Sequence, residues 1–365
     1  MMRVAFDARM LEASGIGTYI FNLLKNFPET IEDIELTLLG NPDKITAHFG
    51  DKFGNIRKTN APIYSVSEQL CIPFAAKGAD ILHIPHHNVP ILWRKKLVVT
   101  LHDMLHWDHP EYIPDWRGKI YLKLVSGRIK SATQVICPSW FTASRAKEIL
   151  GLSVNQITVI HQGVDKEFFS RRSPDAVKQV LSEYGLKPGG YLLYVGNLKP
   201  HKNLQRLAEA YSIARKKGIR ARLVLTGKLE GLRAKEDVEK LMRFEGVIHI
   251  GEVKAEELPY LYSGARALVF ISLYEGFGLP PLEAMCCGCP VLVSDAGPLP
   301  EVVGDAAITV DPFDVEKIAD AIVKIVTDEE LRKNLIKRGK EWVKRFSWQK
   351  TAFQTIEVYK KVAKL

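Results

Sequence analysis

The chain is short of cysteine. It has five, Cys71, Cys137, Cys286, Cys287 and Cys289, an odd number without the spacing of a disulfide framework. That excludes a disulfide-stapled scaffold and fits reduced thiols. No apolar run approaches the roughly 20 residues that span a bilayer. The opening MMRVAFDARM reads as a β-strand, without the apolar region of a signal peptide, so the expected location is cytoplasmic. Peripheral contact with the inner face of the membrane is compatible with that expectation. Acidic residues are outnumbered, 42 against 51 Lys and Arg, a formal net charge of +9. Such a balance favours anionic partners such as nucleotides, phosphates or acidic membranes. Basic runs never exceed three residues, however, which argues against a nucleic-acid patch. Two further absences matter: there is no G-x-G-x-x-G dinucleotide fingerprint and no Asp-x-Asp pair.

What the chain does have is alternation. Short β-branched runs (RVAFDA, IELTLLG, ILHIP, KLVVTLHD, QVICPS and ITVIHQG) alternate with longer stretches of helical period. The pattern repeats in YLLYVGN, ARLVLTG, GVIHIGE, ALVFIS, PVLVSD and AAITV. One intervening helix, NLQRLAEAYSIARKKG, places Leu204, Leu207, Ala208 and Tyr211 on one face and stops at Gly218. Strand–helix alternation implies parallel sheets covered by helices on both faces. At 365 residues, two doubly wound domains are expected. The boundaries read from the polarity change after HQGVDKEFF are 1–168 and 169–345, with an amphipathic terminal helix in 346–365. Ligands of such folds sit outside the carboxyl ends of the strands, so the expected site is the cleft between the sheets.

Four segments carry candidate chemistry. Gly15 and Gly17 are read as a turn before a helix, able to offer backbone N–H groups to a phosphate or to be a plain connection. Six of the ten histidines (His83, His86, His87, His102, His106 and His109) end two strands. They suggest a cleft wall more than a metal site, with His102 foremost because it directly follows VVTL. Lys202, before a helix in YVGNLKPHKNL, could meet a diphosphate or simply be solvated. Finally, SLYEGFGLPPLEAM sets Glu275 at the end of a buried strand and Glu283 in what reads as the first turn of the next helix. Gly276 and Gly278 lie between them, with Pro280 and Pro281 where a helix can begin. Glu283 could cap or complement the helix dipole; Glu275 has no such structural reason. The two could clasp a polyhydroxy ligand. CCGC runs into an apolar strand with no second ligand pair nearby, so packing is preferred to metal.

E-G-F-G-L-P-P-L-E resembles the E-x7-E signature of retaining glycosyltransferases of family four, which have the GT-B fold. GIGTYI, TLHDM, ATQVICPSWFTASRAKEIL, VIHQGVD, YVGNLKPHKNL, LVLTG, LEAMCCGCPVLVSDAGPLPEVVGDAA and FSWQKTAFQTIEVYKKV follow the family order. The resemblance covers essentially the whole chain and looks most like the mannosyltransferase group of surface-polysaccharide assembly. It implies two Rossmann-like domains facing across a cleft, acceptor side first and nucleotide-sugar side second, with the terminal helix crossing back to the first.

By the same resemblance, Glu275 contacts donor-sugar hydroxyls, Glu283 the ribose, and Lys202 the diphosphate. The amides of Phe277, Gly278 and Leu279 meet sugar or diphosphate, Gly15 and Gly17 the phosphates, His102 the sugar's C6 hydroxyl, and the segment around Val253 the base. Where many members carry Arg after the glycine matching Gly196, this chain has Asn197; Lys199 or His201 could compensate for it. The implied reaction moves a hexosyl group, mannose favoured, from a GDP- or UDP-linked sugar to a saccharide or lipid-linked acceptor. No metal or other cofactor is implied. The alternatives are a non-catalytic nucleotide-sugar-binding protein of this fold, or a glucosyl or N-acetylglucosaminyl transferase.

Overall fold

The computed structural model describes residues 1–29, 31, 33–113, 115–228 and 234–365. They divide into two compact units, Met1–Gly163 with Ser347–Leu365, and Val164–Phe346. The first unit thus ends at Gly163, ahead of the 168 read from the polarity change.

In the first unit the strands are β1 (Met2–Asp7), β2 (Ile34–Gly40), β3 (Ile56–Lys58), β4 (Ile81–Ile84), β5 (Lys96–Thr100), β6 (Gln134–Cys137) and β7 (Ile157–Val159). They form one parallel sheet in the order β3-β2-β1-β4-β5-β6-β7. The second unit holds β8 (Tyr191–Val195), β9 (Arg222–Thr226), β10 (Val247–His249), β11 (Ala267–Phe270), β12 (Val291–Ser294) and β13 (Ile308–Val310). Their order is β10-β9-β8-β11-β12-β13, again parallel throughout. β4, β6, β11 and β12 are buried at every position, which is why they read as unbroken apolar runs. β3 has no apolar signature; IRK is a short strand at the sheet edge. Each sheet reverses its order once, between β1 and β4 and between β8 and β11. In a doubly wound sheet that reversal opens a crevice at the carboxyl ends of the two strands.

The expected helix in the second half runs Leu204–Lys216, with Leu204, Leu207, Ala208 and Tyr211 all buried. The helix Trp348–Lys364 belongs to the first unit. Ser347 caps it by accepting from the Lys350 N–H at 3.2 Å. Its Thr351 hydroxyl donates to the His161 carbonyl at 2.8 Å, and Gly163 packs so closely on the Trp348 backbone that a Cβ there would lie 2.1 Å from the Trp348 nitrogen. Further along, the Tyr359 hydroxyl meets His83 Nδ1 at 2.6 Å, and His83 Nε2 meets the Thr100 hydroxyl at 2.9 Å. Burial pushes the His83 pKa down to about 3, so the ring is neutral, one nitrogen donating and the other accepting. His83 is therefore a bolt between β4, β5 and the terminal helix. Tyr359→Phe strands one ring nitrogen without a partner in the core. The expected loss is about 1–3 kcal/mol of stability, read from the urea midpoint at constant m. An unchanged midpoint would remove this bolt from the account.

Candidate functional site

In the second unit, two chain segments meet at the β8/β11 reversal. After β8 the chain makes a tight turn at Pro200–Lys202, and Asn203 then takes the left-handed conformation (φ 60°) before the 204–216 helix. Asn203 tolerates that geometry and is anchored by donating its side-chain amide to the Pro312 carbonyl at 2.8 Å. The turn is tied to the segment after β11 by the Leu273 N–H, which donates to the His201 carbonyl at 2.8 Å. The outcome is a direct ion pair: Lys202 Nζ lies 2.6 Å from Glu275 Oε1, with each side chain only 13% exposed. The ammonium also lies 5.8 Å from the Phe270 ring centroid. The two residues expected to act separately are thus each other's partner.

Past Glu275 the chain turns at Gly278, whose φ of 109° is open to glycine and strained for other residues. The helix Leu279–Cys286 follows, with Pro280 and Pro281 in its first turn. Prolines have no N–H, so the amides that this helix start presents beyond its own acceptors are those of Gly278 and Leu279. Glu283 is not in the first turn, as the sequence suggested; because the helix already starts at Leu279, Glu283 is its fifth residue. A capping role is thereby removed. Its carboxyl instead accepts from the Tyr262 hydroxyl at 2.7 Å. The residue keeps part of its surface open although its carboxyl is enclosed. Burial raises the Glu283 pKa to about 7, against the opposing Tyr262 hydrogen bond. Tyr262, twenty-one positions away, gave no sequence signal.

Other expected residues ring the same sheet end. Asn197 follows Gly196, and its carbonyl accepts from the Tyr194 hydroxyl at 3.2 Å. Val253 packs, partly buried, against the second unit's core beyond β10. Phe277 is buried with its ring edge-on to Phe346 at 6.0 Å, so only its backbone suits the role suggested for it. Cys287 and Cys289 are buried, and burial raises the pKa of Cys286 and Cys289 to about 12. Such thiols pack and do not react. Among the described residues, no group of three His, Cys, Asp or Glu side chains is disposed to hold a metal ion.

In the first unit, the helix after β1 begins at Ser14, so Gly15 and Gly17 lie within its first turn and not in a loop before it. Gly17 has a packing reason: a Cβ there would come within 2.5 Å of the Leu11 carbonyl oxygen. Gly15 is exposed with open space around it. His102 sits at the end of β5 as expected. Its Nε2 lies 2.9 Å from the Pro85 carbonyl and therefore carries the proton, which leaves Nδ1 to accept from the Gln162 amide at 3.4 Å. Burial lowers its pKa to about 4, so the ring is neutral.

The sequence did not reveal a charged cluster at the β1/β4 reversal. Arg9 forms a forked pair with Asp7, at 2.8 Å from Nη2 to Oδ2, and reaches Glu68 at 3.2 Å. Glu68 also accepts from Asn88 at 2.7 Å and from the Tyr121 hydroxyl at 3.2 Å. His86 accepts from the Asn88 N–H at 3.1 Å and turns Nε2 toward Asp7 at 3.4 Å. Burial alone would raise the Asp7 pKa, but His86 and Arg9 outweigh it and hold the carboxyl below the ordinary range. Beside this cluster lies a cavity of about 710 Å³ lined by Tyr64, His87, His106, Tyr112, Arg117 and Tyr121 among others. His87 meets the Tyr64 hydroxyl at 3.1 Å and is neutral, its pKa lowered by burial to about 3. His109 pairs with Glu111 at the surface. Apart from His102, the histidines thus separate into structural bolt, carboxylate partner, cavity wall and surface.

Residues 183–342 match the glycosyl transferases group 1 family, and residues 13–168 match glycosyltransferase family 4. O-antigen chain mannosyltransferase B of Escherichia coli is 36% identical over 286 residues, 77% of this chain and 74% of that one. Serotype-specific mannosyltransferase WbdA of Escherichia coli is 30% identical over 285 residues, 75% of this chain but 34% of that longer one. The solved structure of Anabaena HepE in complex with UDP-glucose superposes with a TM-score of 0.79 at 19% identity, covering 99% of this chain and all of that one. The chain belongs to the glycosyltransferase family that those matches define, a glycosyltransferase with two parallel-sheet units of the GT-B fold.

Proposed function

We propose that this glycosyltransferase moves a mannosyl group, with retention and without a metal, from a GDP- or UDP-linked sugar to a saccharide or lipid-linked saccharide of a surface polysaccharide. The observation that carries the donor site is the Lys202–Glu275 pair at the strand-order reversal, with Glu283 on the following helix. Lys202 retains N–H donors beyond the one spent on Glu275, so it can hold a diphosphate oxygen while staying paired. Glu275 Oε2 is then the acceptor for a sugar hydroxyl. The Gly278 and Leu279 amides add to the diphosphate site. Glu283, fixed by Tyr262, takes the ribose hydroxyls. The preference for mannose rests on the two Escherichia coli mannosyltransferases. HepE, solved in complex with UDP-glucose, supports a nucleotide-sugar donor of this general kind.

Departure of the diphosphate is the costly event, and fixed positive charge at the leaving oxygen lowers its barrier. In the proposed step the anomeric carbon–oxygen bond to the diphosphate breaks. The acceptor hydroxyl attacks from the same face, and its proton passes to the leaving oxygen, so the configuration is kept. The aromatic cavity of the first unit, with three tyrosines and two imidazoles, suits sugar rings and hydroxyls and is the proposed acceptor side.

Three outcomes test the reading. Glu275→Ala lowers transfer by about 10²-fold or more while nucleoside diphosphate binding survives. Transfer within a few-fold of wild type would remove the donor-clasp role. Glu283→Ala instead weakens the nucleoside diphosphate itself in calorimetry; equal affinity in the two variants would sink this division of labour. A pH series adds a sign. With its pKa raised to about 7, Glu283 is the better acceptor above neutrality and loses that capacity as pH falls. Wild-type affinity therefore drops from pH 8 to pH 6 by more than that of Glu283→Gln, which shares only the titration of the phosphate. Parallel pH curves for the two proteins would contradict the role.

A further inference from the structure

One residue of the first unit is held in a backbone conformation that its side chain disfavours. Tyr64 has a φ of 64°, in the left-handed region that a bulky residue seldom adopts. Asparagine or glycine would fit this turn at less cost. Packing offers little to offset the strain, since Tyr64 is 56% exposed. The chain on either side fixes it in place. Before it, the Ala61 carbonyl accepts from Arg9 Nη1 at 2.9 Å, so the loop starts on the charged cluster at the β1/β4 reversal. After it, the Ser65 hydroxyl donates to the Pro62 carbonyl at 2.6 Å and accepts from the Glu68 N–H at 3.3 Å. Strain persists where the surroundings over-determine it, and such positions gather at ligand sites. The buried Asp7, Arg9 and Glu68 charges, which the transfer step does not use, thus set the loop that carries Tyr64. Through Glu68 they also hold the Tyr121 hydroxyl at 3.2 Å.

What the loop presents is a run of rings. The Tyr64 ring stands edge-on to Tyr121 at 6.1 Å, and its hydroxyl meets His87 Nε2 at 3.1 Å. His87 in turn stands edge-on to His106 at 5.9 Å. All four side chains line the cavity of about 710 Å³. His106 Nδ1 is enclosed there, with no hydrogen-bond partner among the described residues. An enclosed polar nitrogen without a partner is costly and calls for a reason. The residue as a whole is only partly buried, so its ring can turn that nitrogen toward a guest. A pyranose has the complementary parts. Its axial C–H bonds form an apolar face for the electron-rich face of a tyrosine, and its rim hydroxyls donate or accept as the imidazole tautomer requires. A phosphate fits less well, since the lining holds Asp115 as well as Arg117.

We propose that Tyr64 is the stacking platform for a hexopyranose ring of the acceptor, with His106 Nδ1 taking one of that sugar's hydroxyls and the Asp7–Arg9–Glu68 cluster positioning the platform. The inference rests on the acceptor-side reading of this cavity. It adds the chemical unit that is recognised, the residues that recognise it and a role for the buried charges.

The test is saturation-transfer NMR on the whole chain, with methyl hexopyranosides and α-linked mannobiosides as probes. Wild type is expected to bind at least one of them. Tyr64→Asn suits the left-handed turn but lacks the ring. It weakens the best-bound glycoside by about tenfold or more, with a urea midpoint no lower than that of wild type. Tyr64→Phe keeps the stacking face and stays within about threefold of wild type. Arg9→Lys, which cannot fork between Asp7, Ala61 and Glu68, weakens glycoside binding by about threefold or more in the wild-type background and adds nothing to Tyr64→Asn. Nucleoside diphosphate affinity, measured on the same proteins, is unchanged by the Tyr64 substitutions. The proposal is overturned if no glycoside binds wild type, if Tyr64→Asn binds as well as wild type, or if Tyr64→Phe is as weak as Tyr64→Asn. Additive losses from Arg9→Lys and Tyr64→Asn would overturn the positioning role. Failure of the transferase reading shows separately, as wild type that binds no nucleoside diphosphate.

Discussion

The contact between Lys202 and Glu275 is the constraint from which the arrangement at the β8/β11 reversal follows. Both residues leave neighbouring strands at the one place where the second sheet reverses its order, and both are largely removed from solvent. A half-buried ammonium or carboxylate alone would be costly. Paired, they hold the β8 and β11 segments together, assisted by the Leu273–His201 backbone bond. They also leave unused donor and acceptor capacity directed at the space beyond the sheet. The same contact satisfies both charges, and in the proposed reading it presets those that a diphosphate sugar would use.

The first unit solves the equivalent problem differently. At its own reversal the charged groups are paired internally, with Arg9 shared by Asp7 and Glu68, and Glu68 shared by Asn88 and Tyr121. That network fixes the wall of a cavity whose lining is aromatic and largely neutral. One unit thus offers fixed charge of both signs, suited to a phosphorylated sugar. The other offers flat rings and the neutral His87 imidazole, suited to carbohydrate hydroxyls and faces.

Much of this was legible in the sequence, and the exceptions have physical causes. Buried parallel strands announce themselves as apolar runs, which is why twelve segments could be read in order and why the edge strand IRK could not. The E-G-F-G-L-P-P-L-E stretch was legible because glycine and proline chemistry forces a turn and a helix start. Its fine register was not, since the two prolines fit the first turn and pull the helix start back to Leu279. Gly15 and Gly17 were read as a turn before the helix; the cap is Ala13, which contributes no side-chain bond, and the helix begins earlier, at Ser14. Pairs such as Tyr262–Glu283, Arg9–Glu68 and His83–Tyr359 join residues far apart in the chain. Only the tertiary fold brings them together, and no local pattern encodes them.

The central claim is that Lys202 and Glu275 act as one coupled unit toward the donor diphosphate. A double-mutant cycle measures it directly: nucleoside diphosphate affinity by calorimetry for wild type, Lys202→Ala, Glu275→Ala and the double variant. The account predicts that Lys202→Ala weakens binding by about tenfold or more, because it also leaves an unpaired carboxylate beside the phosphates, and that adding Glu275→Ala restores part of the loss. Independent, additive effects of the two substitutions would contradict it.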